Sequence, residues 1–170
     1  ASELGMRTVS IYSEDDVECL HVKQTDESVA LKGSGVAAYL DGEQILQVAK
    51  DAGCTLLHPG YGFLSENAEF ARQCEVAGVY FVGPAGDMIE FFGDKARARA
   101  VAAECDVPLL KGKSTAVTVD EAVEFFASLD AGQSMMIKAL GGGGGRGIRI
   151  VRDADDCVGL FQQCASEALA

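Results

Sequence analysis

The chain has 170 residues, of which 48% are hydrophobic and 24% are charged. This composition is typical of a folded globular protein and excludes a disordered chain, whose main signature is low hydrophobicity. Acidic residues outnumber basic residues by 26 to 14, which gives a net charge of −12. Because nucleic acids and anionic membranes are bound largely through basic patches, we expect neither as a partner, and an anionic ligand needs a local site.

The six cysteines form no CxxC pair and no Cys/His cluster with the spacing of a zinc site. We therefore expect reduced thiols and a reducing compartment, which is the cytoplasm or, in a eukaryote, the mitochondrial matrix. Cys157 and Cys164 lie seven residues apart on a predicted helix and are expected to pack in the core.

The first half of the chain alternates between predicted strands and helices. Apolar or β-branched runs predict strands at residues 8–12, 27–31, 54–57 and 80–82. Apolar periodicity predicts helices at residues 17–22, 41–52 and 65–77, the last of them capped by Ser65. This order implies parallel strands with crossover helices, hence an α/β doubly wound sheet. Such a sheet normally opens with a strand before its first helix, so we expect the chain to be truncated at its N-terminus.

The pattern changes after Pro84, and we place a domain boundary there, between residues 1–84 and 85–170. Helices are predicted at residues 87–92, 94–104 and 118–129, and a last helix is predicted to be capped by Asp153. Thr118 and Glu121 have the capping-box spacing. Predicted strands at residues 135–139 and 148–151 flank a glycine-rich loop, which indicates a hairpin.

The glycine-rich loop, residues 141–147, follows Lys138 closely. Glycines lack a Cβ atom, so their backbone N–H groups can converge on a phosphate, and Lys138 adds positive charge to the same anion, as Arg146 and Arg149 can. The loop contains GxGxxG but continues as a strand, whereas a dinucleotide fingerprint opens a helix. A Walker A loop ends in Gly-Lys-Ser/Thr, which is absent here. A flexible linker is the alternative, but linkers usually mix serine with glycine and lack flanking strands.

A second lysine, Lys95, follows Gly93-Asp94 in the first turn of a predicted helix. A cation opposes the helix dipole at this end, so its position alone favours a solvated side chain over a ligand contact.

Two segments together resemble the biotin carboxylase family. The first is the ten-residue segment His58-Pro59-Gly60-Tyr61-Gly62-Phe63-Leu64-Ser65-Glu66-Asn67, which is similar to the hallmark loop of that family. The second runs from Ile137-Lys138-Ala139 to Gly147 and resembles the glycine loop of the ATP-grasp superfamily. Gly83-Pro84 and Gly93-Asp94-Lys95 lie between the two in the family's order. The resemblance implies a Rossmann-like pre-ATP-grasp lobe, then the first part of an ATP-grasp domain with a glycine-rich lid hairpin, truncated at both ends.

The resemblance also implies roles for individual residues. Lys95 and Lys138 match two lysines that contact the phosphates of ATP. The backbone that closes over the triphosphate corresponds to Gly143, Gly144 and Gly145. The border of the bicarbonate and biotin pocket corresponds to Tyr61, Gly62 and Glu66. No catalytic residue and no metal ligand is assigned to this chain, because the Mg²⁺ ligands of the family lie outside it. His58 is interpreted as structural and is expected to satisfy carbonyl groups of the loop.

The implied reaction is ATP-dependent carboxylation of biotin on a carrier domain by bicarbonate, through carboxyphosphate. The implied partners are the biotin carrier, a carboxyltransferase domain or subunit acting on an acyl-CoA, pyruvate or urea, and further copies in a homo-oligomer. The chain alone is expected to be inactive. Two other interpretations stay open, a non-catalytic ATP-binding or interaction module derived from such an enzyme, and a dinucleotide-binding oxidoreductase domain.

Overall fold

The computed structural model describes residues 1–113, 115–139 and 147–168. The chain forms two compact units, Ala1–Asp94 and Lys95–Ala170. The domain boundary placed after residue 84 stays a prediction. Among the described residues, no helix combines the length and the apolar character that crossing a membrane requires.

Two parallel strand pairs organise the first unit. Its helices and strands are β1 (Val9–Tyr12), α1 (Leu20–Gln24), β2 (Glu27–Ala30), α2 (Gly35–Leu40), α3 (Gly42–Asp51), β3 (Leu56–Leu57), α4 (Ala68–Val76), β4 (Tyr80–Phe81) and α5 (Gly86–Gly93). β1 pairs with β2, and β3 pairs with β4, each in parallel across a helix, which confirms the predicted crossovers. In the described part of the chain these pairs are separate two-stranded sheets and not one continuous sheet.

One hydrophobic core serves both strand pairs. Phe70 of α4 is 2% exposed and packs edge-on against Phe81 of β4, with ring centroids 6.2 Å apart. Leu31, directly after β2, belongs to the same cluster, and Ile11 of β1 and Leu57 of β3 pack against it. A shared core of this kind holds the two pairs together without hydrogen bonds between them.

Side-chain caps define where the main helices of this unit begin. Asp41 accepts a hydrogen bond from the amide of Gln44 at the start of α3, at 3.0 Å. At the start of α4 the cap is Asn67, whose Oδ1 accepts from the amide of Phe70 at 2.9 Å. The prediction that Ser65 caps this helix is therefore wrong. Ser65 lies in a 3-10 turn just before the helix. The prediction failed because Asn is an equally good cap and Asn67 stands where the helix begins.

The second unit is built on an antiparallel hairpin. Its elements are α6 (Lys95–Glu104), α7 (Val119–Ala127), β5 (Met135–Lys138), β6 (Ile148–Val151) and α8 (Cys157–Ala168). Met135 lies opposite Val151 and Lys138 opposite Ile148, which confirms the predicted hairpin. The capping box of α7 is also confirmed, since the amide of Thr118 donates to Glu121 at 2.7 Å.

A small core lies between the hairpin and the helices α7 and α8. Met135, Val151 and Cys157 are buried there together with Ala122 of α7. Asp153 accepts from the amide of Asp155 and caps a short 3-10 turn that leads into α8. All six cysteines are free thiols, and the prediction that Cys157 and Cys164 are buried is confirmed.

Candidate functional site

The hairpin has one face against the core and one face open to solvent. Strand alternation places Met135 and Ile137 toward α7 and α8. The opposite face carries Met136 and Lys138 of β5, and β6 adds Ile148 and Ile150. Lys138 thus projects from the exposed face at the end of the strand that enters the glycine loop.

An apolar surface accompanies Lys138 on this face. Met136 is 51% exposed and Ile150 is 41% exposed, and the two lie directly opposite each other across the hairpin. A flat apolar platform beside a cation suits a ligand with a planar ring and an anionic tail. The sequence analysis did not identify these side chains. The signal that could have found them is the alternation of residues 135–138 combined with the hairpin register.

Arg149 was considered from the sequence as a positive charge for a bound phosphate, but in the structure it pairs with a carboxylate of the chain. It lies on the inner face of the hairpin, forms an ion pair with Glu167 of α8, and donates to the carbonyl of Ile148 at 2.8 Å. Arg146, Gly143, Gly144 and Gly145 lie outside the described residues.

Lys95 is the first residue of α6 and is exposed. Lys95 belongs to the same unit as Lys138. The hairpin that carries Lys138 packs against α8, whereas Lys95 lies on α6. A common phosphate site for Lys95 and Lys138 stays a prediction.

The ten-residue segment 58–67 forms a turn-rich loop in the first unit. Gly60 and Gly62 have φ of 74° and 72°, a left-handed conformation that glycine adopts without steric cost. Between them Tyr61 is 98% exposed, and Glu66 is exposed at the end of the following 3-10 turn. The loop therefore presents Tyr61 and Glu66 to solvent. Their predicted place at the border of a bicarbonate and biotin pocket stays a prediction.

His58 stabilises this loop in a way that the sequence analysis did not foresee. Its Nδ1 accepts a hydrogen bond from the amide of Gly60 at 3.0 Å. This bond makes His58 an acceptor for a loop amide, and the expectation that it also satisfies loop carbonyls stays a prediction.

Phe63 is the one strained residue of the loop. Its φ of 48° lies in the left-handed region, which is costly for a bulky side chain. Its ring stacks on Tyr39 of α2, with centroids 6.0 Å apart and planes inclined by 18°. The hydroxyl of Tyr39 donates to Asp16 at 2.6 Å and accepts from the amide of the buried Ser13 at 3.1 Å. Neither Tyr39 nor this anchoring was identified from the sequence, since the contacts span more than 20 residues.

The carboxylate of Asp16 is stabilised in its charged form. The hydrogen bond from Tyr39, with those from Cys19 and Ser13, lowers the pKa of Asp16 below its ordinary value of 3.8. A lowered folded-state pKa contributes stability that is present above pH 3.8 and is lost as the pH falls through the folded-state pKa. We expect Tyr39→Phe to lower the free energy of unfolding at pH 7, because Asp16 and Ser13 lose a partner, and to matter less at pH 3.

Urea unfolding of the wild type and Tyr39→Phe at both pH values measures this effect. Tyr80→Phe, which removes the hydroxyl of a tyrosine that is 66% exposed, is the control and should change stability little at either pH. If Tyr39→Phe lowers the free energy of unfolding as much at pH 3 as at pH 7, the hydroxyl acts independently of the charge on Asp16.

Comparison with known families accounts for both the loop and the hairpin. Residues 1–89 match the family model of the N-terminal domain of biotin carboxylase. The chain belongs to the biotin carboxylase family. Residues 94–170 match the ATP-binding domain of the carbamoyl-phosphate synthase L chain, so the resemblance to ATP-grasp proteins is confirmed for the second unit as well.

Individual relatives agree with this assignment. Pyruvate carboxylase of Schizosaccharomyces pombe is 47% identical over 174 residues, which cover 100% of this chain and 15% of that protein. The biotin carboxylase domain of a single-chain bacterial carboxylase is 45% identical with a TM-score of 0.80, over 95% of this chain and 35% of the other. Biotin carboxylase of Campylobacter jejuni, solved as a complex with β,γ-ATP, has a TM-score of 0.88 at 30% identity, over 99% of this chain and 38% of the other. The chain thus spans a minor part of these relatives.

Proposed function

We propose that the chain is the N-terminal part of the biotin carboxylase component of a biotin-dependent acyl-CoA, pyruvate or urea carboxylase. The reaction is ATP-dependent carboxylation of carrier-bound biotin by bicarbonate. The observation that carries the proposal is the exposed position of Lys138 at the end of β5, just before the glycine loop, in a chain that belongs to the biotin carboxylase family. A structure of the relative from Campylobacter jejuni is described as a complex with β,γ-ATP, which supports a nucleotide as the ligand.

In this proposal, different residues of the second unit bind different parts of ATP. The ammonium group of Lys138 neutralises charge on the phosphates, together with Lys95 and the backbone amides of residues 143–145. Met136, Ile148 and Ile150 provide an apolar surface for the purine ring. Charge neutralisation of this kind prepares the terminal phosphate for transfer to bicarbonate.

Tyr61, Gly62 and Glu66 border the pocket for bicarbonate and biotin in this proposal. The exposed ring of Tyr61 offers an aromatic surface, and Gly62 leaves room for a close approach of the backbone. The partners are the biotin carrier, a carboxyltransferase domain or subunit, and a second copy of the protein. Free cysteine thiols agree with the cytoplasm or the mitochondrial matrix.

Magnesium would assist the phosphate chemistry when bound, and in this proposal its ligands come from outside the chain. In residues 1–113, 115–139 and 147–168, no three His, Cys, Asp or Glu side chains come together as a ligand cluster.

We expect the purified 170-residue chain to bind ATP but to release no phosphate in response to bicarbonate and biotin. Calorimetric titration with ATP and a phosphate-release assay measure the two properties, and titration with NAD is the control. Stimulated phosphate release would contradict the proposed inactivity. Binding of NAD in place of ATP would contradict the proposed function and favour a dinucleotide-binding domain.

A further inference from the structure

The residue at which the glycine loop rejoins the hairpin is tied to α8. The carbonyl of Gly147 accepts hydrogen bonds from the amide of Ala139 at 2.8 Å and from the thiol of Cys164 at 2.7 Å. The amide of Gly147 donates to Oε2 of Glu167 at 3.3 Å. Both polar groups of the Gly147 backbone are thus held, and two of the three partners belong to α8.

Glu167 also holds a second residue of the same segment. Its Oε1 forms an ion pair with the guanidinium group of Arg149, the second residue of β6. One carboxylate therefore bridges the backbone of Gly147 and the side chain of Arg149. The ion pair also compensates the negative charge of Glu167, which would otherwise disfavour an anion bound nearby.

We propose that Glu167 is a positioning residue for ATP, which holds the start of β6 so that Ile148 lies opposite Lys138 on the exposed face of the hairpin. This inference rests on the proposed function and adds to it a residue that touches no nucleotide. Small displacements of a phosphate-binding cation are costly, because charge-assisted contacts depend on distance and direction. Fixing residues 147–149 to α8 limits such displacements on the strand that pairs with Lys138.

The sign of the mutational effect separates positioning from simple electrostatics. Glu167→Gln removes one negative charge from a chain with a net charge of −12, so an effect of charge alone would tighten ATP binding. Glu167→Asp keeps the charge but shortens the side chain by one methylene, so an effect of charge alone would leave binding unchanged. If Glu167 acts by positioning, both variants bind ATP more weakly, by about three- to tenfold.

The test measures the ATP dissociation constant of the 170-residue chain by calorimetry for the wild type and both variants. Gln162→Ala, an exposed substitution on the same helix, is the control and should bind like the wild type. The amide resonance of Gly147 in a ¹⁵N-labelled chain reports the contact directly and should move in both Glu167 variants. Thermal melts determine the folded fraction at the temperature of titration.

Weaker binding by both folded variants supports the inference. Unchanged or tighter binding by Glu167→Gln overturns it, and so does a loss that matches the fraction unfolded in the melts. If the wild-type chain binds no ATP, the proposed function fails and this inference fails with it. If the wild type binds ATP and both variants bind equally well, this inference alone fails.

Discussion

Replacing Lys138 by Met is expected to weaken ATP binding by about one to two orders of magnitude while the fold stays intact. A charge-assisted contact to phosphate contributes roughly 1.5–3 kcal/mol, which corresponds to that loss. Lys138 projects from the open face of the hairpin, so its ammonium group plays no part in the core formed by Met135 and Val151. Met restores most of the aliphatic stem but none of the charge, and Ala should behave in the same way.

The measurement is ATP affinity of the chain, and turnover in the carboxylase that contains it, beside thermal melts. Lys138→Arg should restore binding only in part, because a planar guanidinium does not replace a compact ammonium group at a crowded phosphate. Lys50→Met makes the same chemical change on an exposed position of α3 and serves as the matched control. Wild-type affinity in Lys138→Met, or unfolding of all the Lys138 variants, would remove Lys138 from the phosphate site.

The second large effect is expected at Gly147, where Ala should destabilise the chain by about 2–5 kcal/mol. Gly147 has φ of 65°, and a left-handed conformation costs a non-glycine residue roughly 1–2 kcal/mol. A Cβ atom there would also lie only 2.7 Å from the Cβ of Ala139, and relieving such overpacking costs about 1–3 kcal/mol. Urea unfolding measures the loss.

Gly132→Ala is the matched control for this substitution. Gly132 also has a positive φ, 85°, but no atom lies within 4 Å of the Cβ that Ala would add. It should therefore show the backbone cost alone, about 1–2 kcal/mol. If Ala lowers the free energy of unfolding equally at Gly132 and Gly147, the contact with Ala139 is relieved without cost.

Local patterns in the sequence identified much of this protein. The capping box of Thr118 and Glu121 predicted the start of α7, because both hydrogen bonds of that motif join residues three apart. The hairpin was predicted because a run of glycines between two apolar segments leaves few alternatives. The family was evident from residues 58–67 and the glycine loop, since each is a continuous stretch whose chemistry depends on residue order.

The same local reasoning failed where neighbouring residues compete for one role. Ser65 and Asn67 are both good caps, and the sequence pattern does not show which of the two stands at the start of the helix. No element was predicted for residues 36–40, where the structure has most of the helix α2, because a helix of six residues is too short for a clear period.

The sequence by itself determined the family, the α/β class and the hairpin on whose first strand Lys138 lies. Only the tertiary structure decided which face of that hairpin is open, because burial of Met135 and Val151 depends on α8, which follows them in the chain. It also decided that Arg149 pairs with Glu167, 18 residues away. Contacts between distant residues depend on packing as a whole, whereas caps, turns and glycine loops depend on neighbours that the sequence displays directly.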